Sequence, residues 1–288
     1  MIKLIASDMD GTLVSSNHRI SKENAQAIKE AQENGAEFII STGRSYEDSY
    51  QQVKEADIKC KYLVMNGSEL RDDKGEIVFK VYLEQDIVRM IVNDLLREDF
   101  CVELYTTAGT YALGTTEACK LSVATRINNF YPEQSIETIY ETVESHFLFK
   151  ELNRVDSLEE LFGKDYKVGK IIIFSRDISK VENLRESIPK QYPVNATGSF
   201  AINLEITHPL ADKGKAICRY AESKGIVLDE IMTIGDSYND MTMLDSAFGY
   251  TVAMGNAIEE IKKIAKYVTD TNDNHGVGKA IKKFMKIK

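Results

Sequence analysis

Short apolar runs alternate with amphipathic stretches along the first part of the chain. Residues 2–6, 38–40 and 62–65 form apolar runs of strand length, and a helical pattern begins after Ser21, a residue type that often caps helix N-termini. Apolar runs of this kind are typical of strands that are buried in a parallel sheet. The order of strand, helix and strand therefore predicts a parallel sheet with helices on both faces.

A separate α/β pattern occupies the middle of the chain. Residues 100–113 contain two strand-like stretches and residues 170–174 contain another, with helical patterns between them. The alternation of strands and helices seen in the first part of the chain resumes from Lys213. We therefore predict an α/β protein with a split core, residues 1–82 and 197–288, and an inserted α/β domain of residues 83–196.

Composition narrows the classes of function. The chain has 288 residues, of which 43% are hydrophobic and 28% are charged, and these values are ordinary for globular proteins. The formal net charge of -9 disfavours a nucleic-acid partner, because phosphate backbones require a basic surface. The sequence has neither a membrane-spanning apolar run nor a signal peptide, and its four cysteines are scattered. A cytoplasmic protein with reduced thiols and no membrane partner is therefore expected.

Two aspartates, Asp8 and Asp10, follow the first apolar run and precede a Gly-Thr pair. Ligands of open α/β sheets bind at the carboxyl ends of the strands, which is where this pair is expected to lie. Because side chains alternate along extended chain, both carboxylates are expected to point the same way. Crowded carboxylates repel, which favours either a cation between them or a nucleophile that works with an acid. An acidic turn without a function also accounts for the pair on its own.

Three further loops carry polar residues of the same kind. One follows the apolar run at 231–234, one follows the run at 38–40, and one precedes a helical pattern. Together the loops provide carboxylates for a hard cation, hydrogen-bond donors for an anion and one lysine, which are the groups that phosphoryl transfer requires. The candidate residues in these loops are Thr42, Gly43, Arg44, Lys213, Asp236, Asn239 and Asp240.

In this order and spacing, the motifs resemble those of the haloacid dehalogenase superfamily of aspartate-nucleophile phosphatases, and most closely its Cof-type branch with a large α/β cap. The four motifs are Asp8-x-Asp10-Gly11-Thr12-Leu13, Thr42-Gly43-Arg44, Lys213-Gly214 and Gly235-Asp236-x-x-Asn239-Asp240. The resemblance covers nearly the whole chain and extends to Asn66-Gly67. It implies a Rossmann-like parallel-sheet core, with the inserted domain as a cap that sets substrate specificity.

The resemblance also implies a role for each carboxylate. Asp8 would be the nucleophile that attacks phosphorus and forms an aspartyl-phosphate, and Asp10 would be the general acid/base. The cofactor would be Mg²⁺, bound by Asp8, the Asp10 backbone carbonyl and Asp236, with Asp240 in direct or water-mediated contact. A structural metal ligand is the alternative for Asp8, and a capping residue is the alternative for Asp10 and Asp240.

Phosphate binding is expected at the second and third motifs. The Thr42 hydroxyl and the Gly43 amide suit an anion, and an ordinary N-cap is the alternative for Thr42. Lys213 would neutralise Asp8 and the transferring phosphoryl group, whereas a lone lysine is usually a solvated surface residue. Arg44 and Asn66 are expected at the phosphate or substrate, with structural roles as the alternative, and Asn239 is expected to orient the nucleophile or the phosphate.

The sequence therefore predicts a Mg²⁺-dependent phosphatase of small phosphorylated metabolites such as sugar phosphates, present as a monomer or homodimer. The resemblance also admits flavin mononucleotide and pyridoxal phosphate as substrates. A sugar phosphomutase is the nearest alternative, and a non-catalytic metabolite sensor and a protein phosphatase are more distant ones. Two features, residues 209–212 and Tyr238, depart mildly from the family pattern and remove no catalytic group.

Overall fold

The computed structural model describes residues 1–245 and 247–286. The chain divides into two compact units, one that combines Met1–Lys80 with Leu210–Lys288 and one that consists of Val81–Pro209. Both units contain helices and strands, in agreement with the predicted α/β class. The second boundary falls later than the predicted break between residues 196 and 197, because the strand that follows this break pairs within the second unit.

Helices and strands are numbered here in chain order. The strands are β1 (Leu4–Ser7), β2 (Glu37–Ser41), β3 (Lys61–Val64), β4 (Glu69–Arg71), β5 (Ile77–Lys80), β6 (Val102–Thr106), β7 (Gly109–Leu113), β8 (Asn153–Arg154), β9 (Val168–Phe174), β10 (Asn195–Thr197), β11 (Asn203–Thr207), β12 (Ile231–Gly235), β13 (Tyr250–Ala253) and β14 (Tyr267–Val268). The α-helices are α1 (Lys22–Glu33), α2 (Tyr46–Glu55), α3 (Gln85–Arg97), α4 (Thr116–Phe130), α5 (Ile136–Thr142), α6 (Phe147–Lys150), α7 (Leu158–Phe162), α8 (Ile178–Gln191), α9 (Lys213–Ser223), α10 (Glu259–Ile264) and α11 (Gly276–Met285). Among the described helices, none is both long enough and apolar enough to cross a membrane.

The first unit is built on one sheet. Across the described residues its strand order is β14-β13-β12-β1-β2-β3-β4-β5. The pairs from β14 to β3 are parallel, and β3, β4 and β5 pair antiparallel at one edge. At the centre, Leu4, Ile5 and Ala6 of β1 have no exposed surface. A strand that is covered on both faces tolerates an uninterrupted apolar run, and this explains the first apolar run of the sequence.

Helices α1 and α11 pack against each other in this unit. Ser21 caps α1, as the sequence predicts, because its side chain accepts a hydrogen bond from the Asn24 amide. The Asn24 side chain in turn accepts a hydrogen bond from the Gly278 amide of α11 at 2.9 Å. Ile28 of α1 and Ile281 of α11 are fully buried, so that apolar burial and a helix-to-helix hydrogen bond act together.

The second unit has its own sheet, in the order β10-β11-β9-β6-β7-β8, and only its β7–β8 pair is parallel among the described pairs. One face is apolar and forms a core with α3 and α8 that includes Leu104 and Ile171. Alternate positions of the same strands carry buried charged side chains, Glu103, Lys170 and Glu205. The period of two along each strand therefore separates an apolar face from a charged one.

Candidate active site

The carboxyl end of β1 is the place where the predicted loops meet. Asp8 directly follows β1, Asp236 directly follows β12, and the two strands pair in parallel. The Asp8 amide donates a hydrogen bond to the Ile234 carbonyl oxygen at 2.8 Å, which fixes the first loop against the end of β12. Neighbouring parallel strands thus place both aspartates at one edge of the sheet.

Lys213 lies between two of the carboxylates. Its Nζ donates hydrogen bonds to Asp8 Oδ1 at 2.6 Å and to Asp240 Oδ1 at 2.7 Å, and the residue is only 1% exposed. The alternative of a solvated surface lysine is therefore wrong. Burial lowers the pKa of Lys213, but the charges of Asp240 and Asp8 outweigh this effect and raise the pKa overall. The side chain is a buried ammonium that two carboxylates hold in its charged form.

Asp8, Asp236 and Asp240 form a carboxylate cluster in which oxygen atoms lie within 4.8 Å of one another. Burial, followed by the charge of Asp240, raises the pKa of Asp8 well above its ordinary value, although Lys213 opposes the shift. The same two causes raise the pKa of Asp236 to about 7. Three ionised carboxylates and one ammonium leave a net charge of -2, and such crowding of oxygen ligands suits a divalent cation.

Asp240 is also a structural residue of its loop. Its Oδ2 accepts hydrogen bonds from the amides of Asp236 at 2.9 Å and Ser237 at 3.1 Å. Ser237 and Asp240 form a capping box around the 3-10 turn Tyr238–Asp240. The capping alternative is therefore present in the structure, and it coexists with the bond from Lys213 because the two roles use different oxygen atoms.

Thr12 belongs to this cluster, although its sequence position alone did not single it out. Its hydroxyl donates a hydrogen bond to Asp236 Oδ1 at 2.6 Å, and the residue has no exposed surface. The bond joins the first predicted loop to the last one, across more than two hundred residues of chain. The sequence feature that could have identified Thr12 is its position inside the first motif, in which only the two aspartates were assigned roles.

Gly11 approaches the same carboxylate through its backbone. Its φ of +75° is a left-handed conformation that favours glycine, and a Cβ atom at this position would lie 2.6 Å from Asp236 Oδ2. Because Thr12 already holds the other oxygen of this carboxylate, the carboxylate has little freedom to move aside. Gly11 therefore leaves the space that the Asp236 side chain occupies.

Replacing Gly11 with Ala is expected to destabilise the protein and to disturb the carboxylate cluster. The left-handed conformation alone costs a non-glycine residue about 1–2 kcal/mol. Gly35→Ala is a matched control, because Gly35 has φ +87° and no atom of the described residues lies within 4 Å of the place that a Cβ would take there. Urea unfolding should show a larger loss for Gly11→Ala than for Gly35→Ala, because only the new Cβ at Gly11 meets the Asp236 carboxylate, and metal binding should weaken only in Gly11→Ala. Equal metal affinity in the two variants would contradict the steric explanation.

Asp10 forms an ion pair with Arg44 at the end of the first loop. The Asp10 carboxylate, 52% exposed, accepts two hydrogen bonds from the Arg44 guanidinium, at 2.7 Å to Oδ2 and 2.6 Å to Oδ1. β1 ends at Ser7 and Met9 lies in a turn, so that the alternation of an extended strand does not continue through these positions. Arg44 is thus an ion-pair partner of Asp10 in this structure.

Thr42 directly follows β2 and is 1% exposed. Its amide donates a hydrogen bond to the Leu63 carbonyl oxygen at 2.8 Å, and its hydroxyl oxygen accepts one from the Arg44 amide at 3.2 Å. The N-cap of α2 is Ser45, so the N-cap alternative for Thr42 is wrong. Gly43 lies between the two residues in the turn that leads from β2 to α2. The Thr42 hydroxyl oxygen is therefore a hydrogen-bond acceptor within this turn.

Asn66 and Asn239 connect two of the loops. Asn66 has a left-handed backbone with φ +56°, and its amide donates a hydrogen bond to the Thr42 carbonyl oxygen at 3.0 Å. Its side-chain oxygen accepts a hydrogen bond from Asn239 Nδ2 at 3.4 Å, while Asn239 Oδ1 accepts one from the Ser237 hydroxyl at 2.8 Å. The structural role that was the alternative for Asn66 is therefore observed.

In the metal-free protein, the free energy of unfolding is expected to fall as the pH rises from 3.8, the ordinary pKa of Asp236, to about 7, its pKa in the folded protein. Between these values the folded state keeps a proton that the unfolded chain has released, so that higher pH favours unfolding. Urea unfolding in the presence of a chelator would measure this slope. Asp236→Asn should make the slope shallower, and an unchanged slope in this variant would exclude Asp236 as its source.

Comparisons with known proteins place the chain in a family. The sequence profile of the haloacid dehalogenase-like hydrolase family matches residues 5–281. Phosphatase YwpJ of Bacillus subtilis is 32% identical over 283 residues, which cover 98% of this chain and 99% of the relative. Another protein of B. subtilis, 5-amino-6-(5-phospho-D-ribitylamino)uracil phosphatase YwtE, is 29% identical over 276 residues, which cover 96% of each chain.

Solved structures share the fold over nearly the whole length of the chain. A haloacid dehalogenase-like hydrolase from B. subtilis matches with a TM-score of 0.84 at 32% identity, covering 98% of this chain and 99% of that chain. A sugar phosphatase of haloacid dehalogenase subclass IIB matches with a TM-score of 0.77 at 25% identity, covering 99% of this chain and all of the other. The predicted family and fold class are confirmed, and the chain belongs to the haloacid dehalogenase-like hydrolase family.

Proposed function

We propose that this protein is a Mg²⁺-dependent phosphatase that hydrolyses small phosphorylated metabolites through an aspartyl-phosphate on Asp8. The observation that carries the proposal is the buried ammonium of Lys213 between Asp8 and Asp240, with Asp236 in the same cluster. Bringing four charged groups together, three of them buried, is costly, and such clusters with shifted pKa values are concentrated at functional sites. The phosphatase names of the relatives support hydrolysis of a phosphate ester.

Asp8 and Asp236 are the side chains that we assign to the metal. Both Asp240 oxygens already accept hydrogen bonds from N–H donors. This favours a role for Asp240 in supporting the metal ligands rather than in binding the metal directly. The Asp10 carbonyl oxygen would add a ligand of the same hard type. Carboxylate and carbonyl oxygens suit Mg²⁺, which also keeps several waters. When bound, Mg²⁺ would neutralise charge on the phosphoryl group.

Asp8 is the nucleophile in this proposal. Because Oδ1 accepts the hydrogen bond from Lys213, Oδ2 is the oxygen that we assign to attack at phosphorus. A bond forms between Oδ2 and phosphorus while the bond between phosphorus and the ester oxygen breaks. Water then cleaves the aspartyl-phosphate and releases phosphate. Lys213 opposes the effect of burial on the pKa of Asp8, and so favours the ionised carboxylate that the first step needs.

Asp10 is the general acid/base that we assign to both steps. It would protonate the leaving oxygen and later take a proton from the attacking water. Both Asp10 carboxylate oxygens accept hydrogen bonds from the Arg44 guanidinium in this structure. The assigned role therefore requires the Asp10 carboxylate to leave Arg44 and to contact the substrate. In the resting protein, Arg44 binds this carboxylate rather than phosphate.

Phosphate would be bound by hydrogen-bond donors in the loops that carry the second and fourth motifs. The Thr42 hydroxyl, oriented by the Arg44 amide, and the Gly43 amide lie at the turn before α2. Backbone and hydroxyl donors at such a strand-to-helix turn form a site for anions. Asn239 would donate from its side-chain amide, and Asn66, which accepts a hydrogen bond from this amide, would orient it.

The substrate class that we propose is the phosphate ester of a sugar or sugar alcohol. One relative is named for a phosphoribityl substrate and one solved structure is named a sugar phosphatase, so that both names describe a phosphate on a polyhydroxylated carbon chain. Flavin mononucleotide carries its phosphate on a ribityl chain as well, whereas pyridoxal phosphate does not. We propose that the second unit, Val81–Pro209, supplies the residues that distinguish among these substrates.

A panel of phosphate esters would test the proposed function. Phosphate release with Mg²⁺ would be measured for hexose phosphates, pentitol phosphates, flavin mononucleotide, pyridoxal phosphate and a phosphopeptide. We expect release from the sugar and sugar-alcohol phosphates by the wild type and not by Asp8→Asn. Isomerised sugar phosphate without free phosphate would indicate a phosphomutase, and the absence of both products on every substrate would favour a metabolite sensor.

Removal of the metal is expected to abolish activity. Chelation should lower the rate of phosphate release by about 10²-fold or more, since a Lewis acid contributes several kcal/mol to charge stabilisation. Added Mg²⁺ should restore the rate and raise the thermal midpoint of the wild type. Asp236→Asn should lose the Mg²⁺-dependent rise in midpoint, whereas Asp57→Asn, at an exposed surface aspartate, should keep it. Full activity in the presence of a chelator would contradict the proposal.

A further inference from the structure

Two of the four cysteines are in contact within the second unit. Cys101 precedes β6, Cys119 lies near the start of α4, and the Cys101 thiol donates a hydrogen bond to Cys119 Sγ across 2.8 Å. This Sγ–Sγ distance is only about 0.8 Å longer than a disulfide bond of about 2.05 Å. Both residues are buried, and the proposed phosphatase chemistry uses neither of them.

The β6–β7 hairpin brings the two cysteines together. The register of the hairpin places Cys101 opposite Gly114, just beyond the last pair of residues. Gly114 has φ +137°, and a Cβ atom there would lie 3.1 Å from the Cys101 Cα, so the two backbones approach closely. Thr115 then caps α4, and its carbonyl oxygen accepts a hydrogen bond from the Cys119 amide at 3.0 Å. Backbone geometry therefore sets the separation of the two thiols.

The surroundings of the pair distinguish one thiol from the other. The hydrogen bond from Cys101 lowers the pKa of the Cys119 thiol, and the nearby charge of Arg154 lowers it further, against the effect of burial. Arg154 is held in place by hydrogen bonds to the Thr116 hydroxyl oxygen at 3.0 Å and the Gly114 carbonyl oxygen at 3.4 Å. A positively charged neighbour and a thiol donor are features that favour a reactive thiolate.

The remaining cysteines lie in different environments. Burial raises the pKa of the Cys60 thiol to about 12, and burial also raises the pKa of the Cys218 thiol. Both shifts favour the protonated thiol, which is a poor nucleophile. These two residues therefore serve as internal comparisons for the reactivity of Cys119.

We propose that Cys101 and Cys119 form a reversible intramolecular disulfide when the protein meets a hydroperoxide. The Cys119 thiolate attacks one peroxide oxygen, the O–O bond breaks, and the departing hydroxide takes a proton and leaves as water. Cys119 is then a sulfenic acid. The Cys101 sulfur attacks Cys119 Sγ, the S–O bond breaks and a second water leaves. Two thiols and one hydrogen peroxide thus give one disulfide and two waters, and a dithiol reductant reverses the reaction.

The disulfide would tie the start of α4 to the start of β6. The two cysteines are 18 positions apart, and the loop that the bond closes contains the whole β6–β7 hairpin. Such a closure restricts the unfolded chain and therefore stabilises the folded one. We expect the oxidised protein to unfold at a thermal midpoint several degrees higher than the reduced protein, a shift that dithiothreitol should reverse.

Thiol counting on the full-length protein tests the proposal. The folded protein would be treated with hydrogen peroxide, quenched, unfolded and titrated with a chromogenic thiol reagent. We expect the wild type to fall from four thiols to two, and mass spectrometry without reduction to recover a peptide pair that joins Cys101 to Cys119. Four remaining thiols, or a loss of thiols by sulfinic acid formation or links between molecules, would overturn the proposal.

Single substitutions provide the matched controls. Cys60→Ser and Cys218→Ser should each fall from three thiols to one, because the reactive pair is intact. Cys119→Ser should keep three thiols, whereas Cys101→Ser should fall to two, because Cys119 still forms a sulfenic acid and has no partner thiol to resolve it. The corresponding alanine variants should behave in the same way. A fall to one thiol in Cys101→Ser or Cys119→Ser would assign the reaction to another pair. None of these readings depends on phosphatase activity, so failure here leaves the proposed function untouched.

Discussion

Asp8→Asn is expected to lower phosphate release by about 10⁴-fold or more, with little change in fold. The amide that replaces the carboxylate is a poor nucleophile toward phosphorus, yet it occupies nearly the same volume and can still accept a hydrogen bond from Lys213. The rate would be measured on the best substrate of the panel at saturating Mg²⁺. Asp57→Asn makes the same chemical change at an exposed aspartate and should leave the rate unchanged.

Rapid quenching gives a second measure of the same assignment. When the wild type is quenched in acid during turnover, the phosphoryl group should be found on the peptide that contains Asp8. Asp8→Asn should show no such peptide. If this variant retained activity within tenfold of the wild type, or if the phosphoryl group appeared on another residue, the assignment of Asp8 as nucleophile would be wrong.

Lys213→Ala is expected to cost about 3–5 kcal/mol of stability at neutral pH, because removing one partner of a buried ion pair leaves the other charge uncompensated. In this variant both Asp8 and Asp240 lose the ammonium that they share at 2.6 and 2.7 Å. Proton uptake by Asp8, whose pKa burial already raises, would relieve the repulsion, so the loss should shrink as the pH falls. Urea unfolding of the metal-free protein, measured from neutral to acidic pH, would show the effect. Catalysis should be lost as well.

Lys29→Ala is the matched control for this variant. The Lys29 ammonium contacts Asp57 at 2.6 Å, the same distance that separates Lys213 from Asp8, but the Asp57 side chain is 92% exposed. Exposed ion pairs contribute only about 0–1 kcal/mol, because water solvates both charges when the pair is broken. Similar losses of stability in the two variants would show that burial does not set the strength of the Lys213 contacts.

Local chemistry made the core of the fold predictable. The continuous apolar run of β1 and the capping residue Ser21 each determine their element through nearby atoms, and both elements appear where they are expected. The end of the inserted domain was placed too early because β11, Asn203–Thr207, pairs with β9 and β10 inside the second unit. An apolar run predicts a strand but not its partner, because strand pairing depends on residues that are distant in the sequence.

The candidate site, like the fold, was predictable where local sequence and strand order determine it. Strand ends and motif spacing were sufficient to bring Asp8 and Asp236 to one edge of the sheet, since parallel neighbours end on the same side. The partner of Asp10 was not predictable, because it depends on how the chain turns after β1 and on the reach of Arg44. Sequence spacing gives the place of a side chain along the backbone but not the direction that a turn imposes on it.

The order in which the strands of the first sheet are synthesised has a consequence for the nascent chain. Ile5 of β1 can pair early with Phe38 of β2, but its other partner, Met232 of β12, leaves the ribosome roughly 230 residues later. At about 5–20 residues per second, β1 waits for roughly 10–45 s with one edge unpaired. Val81–Pro209 can complete its strand pairs during this interval. Prematurely terminated chains would thus present an open parallel edge, a target for chaperones and for aggregation.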